Sequence, residues 1–218
     1  MECCSPALVD RIATHAQCAA AAVAAAHDLN AFAAKDPASR GSAEEIAFGY
    51  SSFKAVLHYR LAHAILDMAL LEGDPDKAIE SVAALVSARG KLLSGAEIHP
   101  RCHIGRRFVL DHGWGTVIGE TSRIGDDCYV LGGVVLGAKG ISGNPSGKRH
   151  PTLGNRAQVG AFTRIFGDIV IGDDVFISPH CVITENVPAG SIVTLKSALQ
   201  LTRRRDSERP AETLIDLS

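Results

Sequence analysis

The chain has 218 residues, of which 46% are hydrophobic, and its 22 Lys+Arg against 24 Asp+Glu give a formal net charge of -2. That balance excludes the basic groove of a nucleic-acid binder and the polybasic surface of a protein drawn to anionic membrane, which leaves a small molecule as the expected partner. The apolar share is enough to give one large domain or two smaller ones a core without staples.

Cysteines stand at 3, 4, 18, 102, 128 and 181. None of the close paired spacings of a zinc site or a disulfide framework is present, so a reducing cytoplasm and no metal are expected. The run from Cys18 to Ala26 imitates the apolar centre of a signal peptide, but it lacks a basic leader and is ended early by His27 and Asp28. No stretch reaches the roughly 20 apolar residues of a membrane span. The expectation is a protein neither secreted nor anchored.

From about Ala7 to Leu93 the chain is rich in helix formers, with Gly and Pro confined to interruptions near Asp36 and Pro37, Arg40 and Gly41, and Gly73 to Pro75. This predicts an α-helical domain over residues 1–95. Between Phe53 and Leu66, the helical spacing of Val56, Leu57, Leu61 and Ile65 predicts one buried stripe. Tyr59, Arg60 and His63 on the same segment read as packing or satisfied groups rather than ligands.

After Gly95 the period changes to six. Ile98, Ile104 and Leu110 form one series, and Ile118, Ile124, Val130 and Leu136 a second. Leu153, Val159, Ile165, Ile171, Ile177 and Ile183 form a third. Glycine follows the apolar residue at 105, 119, 125, 137, 154, 160 and 172, marking an internal repeat. A strand alternates with period two, so residues six apart point the same way. If each unit is a short strand plus a corner, three units close a triangular coil, and stacked coils bury the branched residues in one column. Glycine beside them is expected to serve corners with positive φ, where a Cβ would crowd the bend. A β-sandwich of short strands is the competing fold, but spacing this strict does not suit hairpins. The fold class expected is α+β: the helical domain, a parallel β-helix over 96–192, and a tail over 193–218.

The repeat breaks twice. Two extra residues fall within Asp111 to Gly115, and a longer excursion from Gly137 to Thr152 carries Lys139, Lys148, Arg149 and His150. Repeat proteins usually place function on such insertions.

The runs Glu97 to Pro100, Leu110 to Thr121, Val134 to Gly137 and Gly147 to Thr152, with the helical Tyr59, Arg60 and His63, carry a resemblance to a known family. From about Phe53 to Val187 the chain resembles the serine O-acetyltransferases, hexapeptide-repeat acyltransferases whose β-helix winds left-handed. The handedness comes from the resemblance, since parallel crossovers are normally right-handed. The resemblance implies transfer of an acetyl group from acetyl-CoA to the hydroxyl of L-serine, in a homotrimer whose sites lie between neighbouring columns. The shorter helical half argues against assuming the family's larger hexamer. The same scaffold acting on another hydroxy amino acid or acyl donor is the alternative. A non-catalytic β-helix that binds a partner protein is a third possibility.

Acyl transfer to an alcohol needs a base within hydrogen-bond reach of the hydroxyl. His112 is the candidate, because it sits in a glycine-rich insertion directly after an acid and matches the family's catalytic histidine. The family pairs that histidine with an aspartate, matched here by Glu97, which would hold the imidazole tautomer. An amino-acid acceptor needs a carboxylate for its ammonium and a cation for its carboxylate. Asp111 matches the first, Arg149 with His150 the second, and Glu120 belongs to the same set. Asp36, followed by Pro37 and Ala38, resembles a further acceptor-binding aspartate of the family and also reads as a helix cap. Trp114 either narrows the acceptor pocket or stacks between subunits. Gly137, Ala138, Lys139 and Gly140 lie where the family binds coenzyme A with Gly-Gly-Thr-Gly, so Ala138 and Lys139 are departures. The family's Gly-Val-Pro-Ala-Arg run is missing past Val187, and Arg203, Arg204 and Arg205 read as phosphate contacts or a solvated tail. The chain ends Asp216, Leu217, Ser218 rather than in the isoleucine by which relatives dock into cysteine synthase, so that complex is not expected.

Overall fold

A computed structural model describes residues 5–74 and 77–196. Cys3, Cys4, Pro75, Arg203 to Arg205 and Asp216 to Ser218 lie outside them. Five α-helices come first: α1 (Pro6–Thr14), α2 (Ala16–Lys35), α3 (Ala43–Gly49), α4 (Ser51–Glu72) and α5 (Ala78–Ser94), with a 3-10 turn at Pro37–Ser39. Local chemistry sets their ends. The Ser5 hydroxyl caps α1 ahead of Pro6, Ser42 caps α3, and Gly95 closes α5 at φ 71.

Helix α4 packs against α2, α5 and the first strands. It buries Phe53, Val56, Tyr59, Arg60 and Ile65, while Leu57 and Leu61 remain 41% and 36% exposed. The stripe expected from the sequence therefore divides. Leu57 and Leu61, one turn apart, share the outer face, because the residues at 56, 59 and 60 are taken by the β-domain and the neighbouring helices.

The strands follow as β1 (Glu97–Ile98), β2 (His103–Ile104), β3 (Val109–Leu110), β4 (Val117–Ile118), β5 (Arg123–Ile124), β6 (Tyr129–Val130) and β7 (Val135–Gly137). After the long excursion come β8 (Thr152–Leu153), β9 (Gln158–Val159), β10 (Arg164–Phe166), β11 (Val170–Ile171), β12 (Phe176–Ile177), β13 (Val182–Ile183) and β14 (Ile192–Val193). They stack as three parallel sheets: β1-β4-β7-β10-β13, β2-β5-β8-β11 and β3-β6-β9-β12-β14. The result is a left-handed parallel β-helix. Register pairs like with like: Ile98 lies on Ile118, Ile118 on Leu136, Leu136 on Ile165 and Ile165 on Ile183. Every residue of the three six-residue series is buried, so the column interior is one continuous apolar core.

The repeat glycines play a different part from the one expected. None of Gly105, Gly119, Gly125, Gly137, Gly154, Gly160 or Gly172 has positive φ. Positive φ falls on corner residues with side chains, among them Arg107, His112, Asp127, Arg156, Phe162, Asp174 and His180. The glycines are required by the stacking itself. A Cβ on Gly105 would stand 2.7 Å from the Gly125 backbone, one on Gly125 2.8 Å from Gly154, and one on Gly154 2.7 Å from Gly172. Each coil thus rests backbone on backbone against the next.

A buried ion pair fastens the helices to the column. The Arg60 guanidinium donates to both carboxylate oxygens of Asp28, at 2.8 and 3.1 Å, and to the carbonyls of Ile104 and Gly105. Asp28 also accepts from the Phe108 amide at 2.9 Å. Beside it, the Tyr59 hydroxyl donates to the Cys102 carbonyl and accepts from the Ile104 amide. Tyr59 and Arg60 are satisfied structural groups.

Candidate active site

At the corner between β3 and β4, the Asp111 amide still donates to the Val130 carbonyl, and the next residues then leave the column. His112 adopts the left-handed region at φ 61, and Gly113 follows at φ 71. Gly113 is required there by the start of α4, since a Cβ would stand 2.9 Å from the Ser52 side chain. The Gly115 amide returns the chain to the column by donating to the Gly95 carbonyl. The two inserted residues thereby push the imidazole outward, leaving the His112 side chain 82% exposed.

That imidazole borders a cavity of about 330 Å3, whose walls include Asp36, Tyr50, Ser52 and Asp111. Asp36 is buried and accepts from the Ala38 amide and the Tyr50 hydroxyl, each at 2.9 Å, so it both caps the 3-10 turn and lines the cavity. Asp111 accepts from the Tyr129 hydroxyl at 2.9 Å through Oδ2, the same oxygen that lies 3.9 Å from His112 Nε2. The bond to Asp36 raises the Tyr50 phenol above the ordinary tyrosine value. Burial and then Asp111 do the same for Tyr129. Both phenols therefore stay protonated donors.

A second cluster occupies the corner between the first and second sheets. The Arg149 guanidinium binds the Glu120 carboxylate, which holds that acid below the usual carboxylate range. The amides of Arg149 and His150 donate to the Thr121 hydroxyl at 3.0 and 3.1 Å, and the Thr121 amide donates to His150 Nδ1 at 3.2 Å. Burial, with the nearby Arg149 and Lys148 charges, pushes the His150 imidazole below the ordinary histidine value. Lys148 straps the end of the excursion by donating to the carbonyls of Thr121, His150 and Pro151. The His150 ring lies against Gly119, where a Cβ would stand 2.1 Å from it. Gly119→Ala is expected to lower stability by roughly 1–3 kcal/mol through overpacking, read as a drop in melting temperature.

The remaining sequence candidates are dispersed. Glu97 faces outward on β1 and binds Lys91 of α5, and among the described residues no hydrogen bond joins it to His112. Trp114 is 75% exposed and lies over Gly95, outside the walls of the cavity. Gly137 ends β7, the Lys139 stem runs over Gly167, and Gly140 exchanges hydrogen bonds with Asn144 at 3.1 and 3.0 Å. This run leaves the column at the corner of Glu120 and Arg149. Within one chain, the structure thus unites Asp36, Asp111 and His112 at one corner, and Glu120, Arg149 and His150 at another. Sequence reasoning missed Tyr50 and Tyr129, and it singled out the stretches that carry Thr121 and Lys148 without giving either residue a role. Only Tyr129 left a signal, as a polar-tipped aromatic on the outward position of a strand one coil from Asp111.

Among the described residues, no cluster of three His, Cys, Asp or Glu side chains is placed to hold a metal ion, and no helix is long and apolar enough to cross a membrane. Residues 150–185 match the family model for the bacterial transferase hexapeptide (six repeats). The chain is 40% identical over 171 residues to a serine acetyltransferase of Helicobacter pylori, covering 78% of this chain and 92% of that relative. It is 37% identical over 166 residues to that of Mycobacterium tuberculosis, covering 76% and 67%. Serine acetyltransferase isoform 3 of Entamoeba histolytica, solved in complex with cysteine, superposes with a TM-score of 0.73 at 31% identity, covering 85% of this chain and 62% of its own. The Brucella abortus enzyme in complex with coenzyme A gives 0.73 at 26% identity, covering 86% and 69%. With a relative at 40% identity matched over nearly its whole length, the chain belongs to the serine acetyltransferase family.

Proposed function

We propose that this protein transfers the acetyl group of acetyl-CoA to the hydroxyl of L-serine, giving O-acetyl-L-serine and free coenzyme A, as a cytoplasmic homotrimer that serves cysteine biosynthesis. His112 takes the hydroxyl proton as the oxygen attacks the thioester carbonyl. The tetrahedral intermediate then collapses, the C–S bond breaks, and the imidazolium returns the proton to the departing sulfur. Asp36 and Asp111 receive the acceptor's ammonium. Arg149, aligned by Glu120, and His150 receive its carboxylate. Glu97 is the family-matched partner of the imidazole, and its exposed pair with Lys91 is weak enough to exchange for one. Gly137 to Gly140 hold the coenzyme arm, with Trp114 at the contact between columns.

The observation that carries the proposal is the division of the site. A base with two carboxylates stands at one corner of the prism and an arginine with a histidine at another. Serine is small enough to need both at once, which favours a second copy of the chain bringing its own Arg149 to the first copy's His112.

Release of free thiol from acetyl-CoA with a panel of hydroxy amino acids tests the reaction, and complementation tests the division. His112→Asn and Arg149→Ala are each expected to be inactive alone. Co-expressed in equal amounts, they should recover about a quarter of wild-type activity, because half the bases and half the arginines at random interfaces are intact. No recovery would place both groups in one subunit's site. Turnover with another acceptor or donor alone would move the assignment to that substrate.

A further inference from the structure

The two carboxylates of the cavity are each backed by a tyrosine. Tyr50, which precedes α4, donates to Asp36 at 2.9 Å, and Tyr129 on β6 donates to Asp111 at 2.9 Å. The two carboxylates share a cavity of about 330 Å3, and each has a hydroxyl donor fixed behind it. Asp111 has a rival partner as well, since its Oδ2 lies only 3.9 Å from His112 Nε2. An aspartate that closed onto the imidazole would be lost to an incoming ammonium. Tyr129 occupies that oxygen, and among the described residues Asp111 Oδ1 accepts no hydrogen bond.

We propose that Tyr129, seconded by Tyr50, is a positioning residue of the acceptor site, holding Asp111 away from His112 so that one carboxylate oxygen stays open to an acceptor's ammonium. This rests on the assignment of Asp36 and Asp111 to that ammonium. The Tyr129 ring packs against the cluster of Phe32, Phe53 and Val109, and it also borders a larger cavity of about 680 Å3 beside Lys35 and Phe176. Removing the whole ring would disturb that packing and the wall of the larger cavity, whereas Tyr129→Phe removes the hydroxyl and keeps the ring.

The test is the steady-state kinetics of wild type, Y129F, D111N and the double variant with L-serine and acetyl-CoA. For Y129F the KM for serine is expected to rise about ten-fold, as for loss of a hydrogen bond to a charged group. The KM for acetyl-CoA and kcat at saturating serine should stay within about two-fold of wild type. In the D111N background, Y129F should add less than about two-fold, because the tyrosine acts through that carboxylate. An unchanged serine KM in Y129F, a fall in kcat with no change in KM, or an equal effect in both backgrounds would each overturn the proposal. A wild type that uses a different hydroxy amino acid contradicts serine as acceptor, and the same four proteins then decide the role of Tyr129 with that acceptor. A wild type that turns over no hydroxy amino acid overturns both.

Discussion

His112→Asn is expected to reduce the rate of acetyl transfer by about a hundred- to ten-thousand-fold, the usual effect of removing a general base. Asparagine is the informative replacement because residue 112 sits at φ 61, a conformation asparagine tolerates better than most residues with a side chain. The fold should therefore survive. The imidazole is exposed at a corner and, among the described residues, holds no hydrogen bond that the column needs, so the melting temperature should move little. The KM values for serine and acetyl-CoA should stay near wild type, since proton removal matters in the transition state rather than in binding. Stopped assays of thiol release under single-turnover conditions would separate chemistry from product release. A variant retaining a tenth of the wild-type rate would mean that the proton leaves by another route.

The second large effect is on stability. Asp28→Ala leaves the Arg60 guanidinium 8% exposed and without its counter-ion between α4 and the first coil. It also strips the Phe108 amide of its acceptor. Breaking a buried pair by removing one partner costs about 3–5 kcal/mol, so the midpoint of denaturant unfolding should fall by a corresponding amount. Replacing both partners with apolar residues should recover only part of this, because the carbonyls of Ile104 and Gly105 lose their donor as well. A loss below about 1 kcal/mol for Asp28→Ala would mean that the helices are held to the column by apolar contact alone.

The column could be read directly from the sequence because its interior admits only branched aliphatic side chains at every sixth position. From Ile98 to Ile183, all the residues counted that way are buried. The reason for the repeat glycines could not be read so. Whether a glycine serves a torsion angle or a close approach depends on what the next coil places above it, and Gly105 meets Gly125 twenty positions away. The same holds for the candidate site. The neighbourhood of Glu120 and Arg149, 29 residues apart, exists only because the excursion returns the chain to the corner it left. Contact between Tyr129 and Asp111 requires a coil of stacking plus the two-residue insertion. For α4, helical periodicity located apolar positions but could not say which neighbours would claim them, and so Leu57 and Leu61 ended outside.

With His112 as the proposed base, the backbone at that residue sets catalysis and durability against each other. Left-handed torsion strains a histidine and suits glycine, which would relax the corner at no structural loss. Arg107, Asp127, Arg156, Phe162, Asp174 and His180 carry side chains at the same torsion, so the column tolerates it at other corners too, and at 112 the proposed role of the imidazole is the added reason to keep a histidine. A lineage that kept the prism as scaffolding and abandoned turnover would be expected to drift towards glycine or asparagine here before its buried aliphatic rows began to change.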